Sequence, residues 1–171
     1  MKTRVISTLC VVLVLGLVSQ AYAQLIAGSP EDAAYQKVLA EQNPDAKTAL
    51  LLDYEKQFPD SKVLADIYVM LMNIYQQKND VVKAEDFGEK AVKLDGANIT
   101  ALLALARNYS IERKNLDRAV TYSQKAVDAI QKMKTQPPPP QYTPEQWKSY
   151  VETTEQTAKS MLDYAKTMNK F

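Results

Sequence analysis

Histidine does not occur in these 171 residues, and cysteine occurs once, at position 10. The chain therefore lacks one of the two commonest zinc ligands and nearly lacks the other, and with them the usual thiol nucleophile. Glycine is scarce, at four residues, and no glycine loop suited to cradling phosphate is present. The sequence also contains no H-E-x-x-H, no EF-hand loop and no G-x-S-x-G. Neither sign of charge dominates: 21 lysines and arginines face 20 acidic residues, for a net charge of +1. A nucleic-acid platform needs a basic field that such a balance does not supply. No cofactor or metal is expected, and catalysis has no residues to rest on.

Long apolar runs are equally rare, and the one that exists is N-terminal. Lys2 and Arg4 lead into Val5 to Val18, and Ala21-Tyr22-Ala23 closes the stretch. That layout reads as a secretory signal with an A-x-A cleavage site, removed before Gln24. The run is shorter than the about 20 apolar residues that a membrane-spanning helix needs. The rival readings are an uncleaved anchor and a lipoprotein signal using Cys10, but Leu9 stands where a small residue would precede that cysteine. Cleavage would remove Cys10, Lys2 and Arg4, leaving acidic residues in slight excess and no stable membrane span. A cysteine-free exported chain suits a bacterial periplasm better than the disulfide-stapled setting of small eukaryotic secreted domains. The expected location is periplasmic or secreted, and the remaining length is that of one domain. With little glycine and 46% apolar residues, an all-helical body is expected.

What the chain does have is a repeated pattern. Leu64, Ile67, Tyr68, Leu71, Ile74 and Tyr75 recur at three- and four-residue steps, as on one helical face. Asn79-Asp80 breaks the pattern and supplies an N-cap. Ala84, Phe87, Gly88, Ala91 and Leu94 make a second stripe, and Asp95-Gly96 is expected to end it with a left-handed cap at the glycine. Ala84, Gly88 and Ala91 are small enough to admit a close neighbour. The signature returns with Leu102, Leu105, Ala106 and Tyr109, a break at Asn115, then Ala119, Tyr122, Ser123, Ala126 and Val127. Tyr75 and Tyr109 lie 34 positions apart. Neither helix of a pair can bury its stripe alone, so stacking on a neighbour is required.

This pattern resembles the tetratricopeptide repeat. Tyr68, Leu71, Met72, Tyr75, Ala84, Gly88 and Ala91 fill the family's positions in one copy. Leu102, Leu105, Ala106, Tyr109, Ala119, Ser123 and Ala126 fill them in the next, after a turn one residue longer. Met72 departs from the usual small residue, and Gly96 stands where the family often has proline. The resemblance implies an all-α fold of antiparallel helix pairs stacked as a right-handed α-solenoid. On this reading residues 24–134 hold about three helix pairs, the first of them degenerate. Ser29-Pro30-Glu31-Asp32 and Asn43-Pro44-Asp45 start its helices. Ala34, Val38 and Leu39 form a thin stripe on the first, and Ala46, Leu50, Leu51, Tyr54 and Phe58 a fuller one on the second. Residues 135–142 form a Pro-rich linker, extended like polyproline II and read as a stiff spacer rather than a ligand for an aromatic groove. Residues 143–171 hold a last helix striped by Val151, Thr154, Ala158, Met161, Leu162, Ala165 and Met168, as a cap or a partial repeat.

The acidic pairs read as solvated surface. Asp86 with Lys90, Glu89 with Lys93 and Glu155 with Lys159 sit at i,i+4 spacing, where modest ion pairing is the rule. The sequons at Asn98 and Asn108 read as accidental in a bacterial host. Binding by shape remains. The resemblance implies a concave groove lined by Asp66, Val69, Asn73, Gln76 and Gln77, and by Thr100, Leu103, Arg107, Ser110 and Ile111. Asn73 and Arg107 stand out, because an amide and a guanidinium can grip the backbone and carboxylate of a bound chain. Val69 stands where the carboxylate-clamp subtype has lysine, so recognition of a C-terminal carboxylate is not expected. The expectation is a non-catalytic scaffold for a protein or peptide partner. The alternative is a self-associating envelope component docking through its last helix, as a homo-oligomer.

Overall fold

The computed structural model describes residues 25–170; the expected signal segment, 1–23, lies outside them. Among the described residues are seven α-helices and no strand. They are α1 (Pro30–Ala40), α2 (Pro44–Gln57), α3 (Leu64–Gln77), α4 (Val81–Leu94), α5 (Ile99–Ile111), α6 (Leu116–Met133) and α7 (Pro144–Met168). Two compact units divide the chain, one ending at Asp66 and the other beginning at Ile67. The Pro-rich segment and α7 both fall within the second unit.

In the first unit Ser29 caps α1, accepting the Asp32 N–H at 3.1 Å. The Asp32 carboxylate accepts in turn from the Gly28 N–H at 2.8 Å, one position short of a reciprocal capping box. Asn43 caps α2 by accepting from the N–H groups of Asp45 and Ala46. The helices pack through Tyr35, Val38, Leu51 and Tyr54, all buried. The rings of Tyr35 and Tyr54 meet edge to face, with centroids 6.1 Å apart. Tyr54 donates to Glu31 at 3.0 Å, and burial pushes its phenol up to about 12. Tyr35 carries the packing expected of Ala34 and Leu39, which are half-buried, and Ala46 points outward.

In the second unit the backbone itself repeats. Asn79 adopts a left-handed φ of 57°, and the Asp80 N–H reaches the Tyr75 carbonyl at 2.9 Å while the Asn79 N–H reaches that of Gln76 at 3.0 Å. These two bonds form a Schellman closure, which satisfies carbonyls that the end of α3 leaves open. At α5 the left-handed residue is Arg113, at φ 53°, and the Lys114 N–H reaches the Tyr109 carbonyl at 3.0 Å. Each participant in the second closure stands 34 positions after its counterpart. The extra residue follows: Asn115, also left-handed at φ 48°, precedes α6 and makes no side-chain cap bond.

Phe87 packs α4 onto α3, stacked on Tyr75 at 5.6 Å and tilted on Tyr68 at 6.0 Å. Gly88 meets Met72 of α3 and Leu105 of α5, so its missing side chain is what lets α5 approach. Tyr109 and Tyr122 stack across α5 and α6 at 6.4 Å. Leu71, Ala84, Ala91, Leu102, Leu105, Tyr109, Ala119 and Ala126 are all buried, with Tyr68 at the margin and Tyr75 half-exposed beneath Lys83. Two expectations fail at the end of α4. Leu94, its last residue, is 56% exposed, and Gly96 does not take a left-handed φ. Asp95 ends the helix in extended geometry, and its carboxylate accepts from the Ala97 N–H at 3.0 Å in an Asx turn.

Pro137 to Pro139 carry no helix, and the Tyr142 N–H reaches the Pro139 carbonyl at 2.9 Å, so the segment ends in a turn. Thr143 and Gln146 then close a reciprocal capping box on α7. This helix packs on α5 and α6 and runs antiparallel to α6. Gln131 donates to Glu155 at 2.7 Å, and Asn169 donates to Asp117 at 2.9 Å, pinning opposite ends. Val151, Thr154, Ala158, Leu162 and Ala165 are buried, whereas Lys148, Glu152, Gln156, Lys159 and Asp163 are exposed. The side of α7 turned to solvent therefore carries mainly charged and amide side chains.

Candidate functional site

Val69, Asn73 and Gln76 follow i, i+4, i+7 spacing on α3 and are half-buried, with Gln77 exposed beyond them. Asp66, on the first turn of the same helix, is half-buried. On α5, Thr100 and Leu103 are half-buried, and Arg107 and Ile111 are exposed. Ser110 differs from its expected place in the groove. It is fully buried, and its hydroxyl donates to the Ala106 carbonyl at 2.7 Å. It therefore faces the packed side of α5 and offers nothing to a partner.

Asn73 and Arg107 occupy equivalent turns of α3 and α5, 34 positions apart. Among the described residues, neither side chain takes a hydrogen-bond or ion-pair partner. The Thr100 Oγ1 is unbonded but shielded from solvent, so it is not presented to a partner. The arrangement leaves an amide and a guanidinium with hydrogen-bonding capacity to spare, which suits gripping a chain.

Elsewhere several charged groups are committed to each other. Glu89, expected to face solvent beside Lys93, instead accepts from Tyr109 at 2.6 Å and from Tyr122 at 2.8 Å, and pairs with Arg118. One carboxylate thus ties α4 to α5 and α6. Burial, reinforced by the bond to Glu89, holds both phenols above their ordinary value. Glu85 pairs with Lys114 at 2.9 Å. Glu155 keeps its Lys159 partner at 2.7 Å but also binds Gln131 of α6 and Lys134 just past the end of that helix; Lys134 first, then Lys159 and Gln131, pull its carboxyl down to about 2. The i,i+4 lysines gave each acid a sufficient local partner, so the sequence carries no sign of the longer-range role.

Among the described residues, no group of acidic, histidine or cysteine side chains could hold a metal ion, and no helix is long and apolar enough to cross a membrane. Compared with family models, curated proteins and solved structures, the chain matches none.

Proposed function

We propose that this protein is a non-catalytic interaction module of tetratricopeptide type, exported to the bacterial envelope, whose helix pairs from α3 onward stack as a right-handed solenoid. Its partner is a protein or peptide segment lying across α3 and α5. The observation that carries the reading is that Asn73 and Arg107, at equivalent turns of two repeats, are left without intramolecular partners. Glu85, Glu89 and Glu112, by contrast, are ion-paired. The 34-residue recurrence of the helix closures supports the family reading, because that is the period of this repeat. Asn73 would bond the backbone of an extended chain, Arg107 would meet an acidic side chain, and Val69 and Leu103 would supply apolar contact. Self-association through α7 is the weaker reading, since, Tyr164 apart, the outward face of that helix is polar.

The test is site-specific photocrosslinking in cells. A crosslinker at Gln76 or Leu103 should trap one discrete partner, and a crosslinker at Gln156 should trap none. Asn73→Ala combined with Arg107→Glu should abolish the adduct while far-ultraviolet circular dichroism stays unchanged. An adduct that persists in the folded double variant would sink the assignment.

A further inference from the structure

An open cleft of about 400 Å³ lies between α4 and α6, with Val92 and Tyr122 in its wall and Lys93 and Lys125 beside them. We propose that this cleft is a second binding site and that it takes an acidic peptide segment. Its two carboxylates would meet Lys93 and Lys125, with an apolar side chain between them resting on Val92 and Tyr122.

The charge inventory leads there. Both acids that line the cleft are compensated: Glu89 by Tyr109, Tyr122 and Arg118, and Asp86 by Lys90 at 3.4 Å. Lys90 is further committed to the Phe87 ring, 4.7 Å from its centroid. Lys93 and Lys125 have no carboxylate partner among the described residues, and both are exposed, the Lys125 ammonium lying 5.9 Å from the Tyr122 ring centroid. The cleft therefore carries two ammonium groups that no carboxylate neutralises, which favour an anionic occupant. Each ammonium is a point charge on a flexible stem, not a convergent fork that would enclose one small oxyanion. A cleft wall that pairs the apolar Val92 and Tyr122 with cations on two different helices matches an acidic-apolar-acidic sequence better than a free phosphate. The volume lies within the range that encloses a small ligand or a few side chains. The cleft is built on α4 and α6 and the proposed groove on α3 and α5, so either can fail without the other.

The experiment is a heteronuclear NMR titration of the full chain with a blocked peptide of alternating glutamate and leucine. Two further titrants are the same peptide with glutamine for glutamate, and inorganic phosphate. Saturable shifts at the amides of Val92, Lys93, Tyr122 and Lys125 are expected with the glutamate peptide alone. Lys93→Met with Lys125→Met keeps the aliphatic stems and should weaken binding about tenfold or more, because two charge-assisted contacts are lost. Should the methionine pair lose helicity, Lys93→Gln with Lys125→Gln repeats the measurement. Unchanged affinity in the folded lysine variants, equal binding of the glutamine peptide, or shifts centred on α3 and α5 would each overturn the proposal. Phosphate saturating the same amides as tightly as the peptide would show a free-anion site and overturn the peptide assignment.

Discussion

Gly88 is where one methyl group sets two physical effects against each other. Helix propensity alone favours replacing an interior glycine by alanine, by about 0.8–1.0 kcal/mol. A Cβ at Gly88 would stand 3.0 Å from both Cγ and Cδ2 of Leu105 and 3.2 Å from the Met72 sulfur. Leu105 and Met72 are each 1% exposed, so neither has open space to move into. The methionine thioether can adapt, but the leucine is met at its branch point, not at a free tip. Overpacking of this sort costs about 1–3 kcal/mol. Set against the propensity gain, Gly88→Ala should lose about 1 kcal/mol overall. In urea unfolding followed by far-ultraviolet circular dichroism, the midpoint should fall by about 0.5 M. Gly96→Ala is the control, because its nearest obstacle is the Val92 carbonyl at 3.8 Å. That substitution should stay within about 0.5 kcal/mol of wild type. Combining Gly88→Ala with Leu105→Ala should show coupling of about 1 kcal/mol in the direction of rescue. A Gly88→Ala variant stabilised by the full propensity gain, with no coupling to Leu105, would refute the close approach of α4 and α5.

Three further outcomes are expected. Arg113→Gly should stabilise the chain by about 0.5–1 kcal/mol in the same urea assay, since arginine pays for its left-handed φ of 53°; Asn79→Gly should change less, asparagine tolerating that region. Tyr109→Phe and Tyr122→Phe should each cost about 1–2 kcal/mol, and the double variant should be non-additive, because both phenols donate to Glu89. Glu155 has its carboxyl held at about 2 against an ordinary 4.5, so its contribution is complete above the higher value and lost as pH falls through the lower. Thermal unfolding across that acidic window should therefore show a slope that Glu155→Gln flattens.

Much of the second unit was legible because burial in a helix leaves a periodic trace. Leu71, Leu102, Leu105 and Tyr109 recur at the steps that one buried face demands, and Ala84, Ala91, Ala119 and Ala126 mark where helices come close. Tyr35 was the harder residue: it carries the packing of α1, yet its neighbours Ala34, Val38 and Leu39 by themselves already outline a thin stripe. The turn after α5 was hidden for another reason. Arg113 is not a residue that prefers positive φ, so only the tertiary fold and the bond from Lys114 to Tyr109 hold it there. Leu94 misled because periodicity continues to the end of a helix whether or not anything remains to pack against.

The candidate site is less legible than the core for a reason that lies in its chemistry. A buried residue is constrained by neighbours spaced at known intervals, whereas a binding residue is defined by a bond it has not yet made. Ser110 and Gln76 show what that means. They are equivalent by register, 34 positions apart, and register alone assigns both to the groove. The serine hydroxyl is short enough to bond the carbonyl one turn back on its own helix, and it does so at Ala106. The longer glutamine side chain stands half-exposed on α3. Repeat register therefore carries a position from one helix to the next, but not the availability of its polar group. Asn73 and Arg107 rank above their neighbours as candidates because they satisfy both conditions.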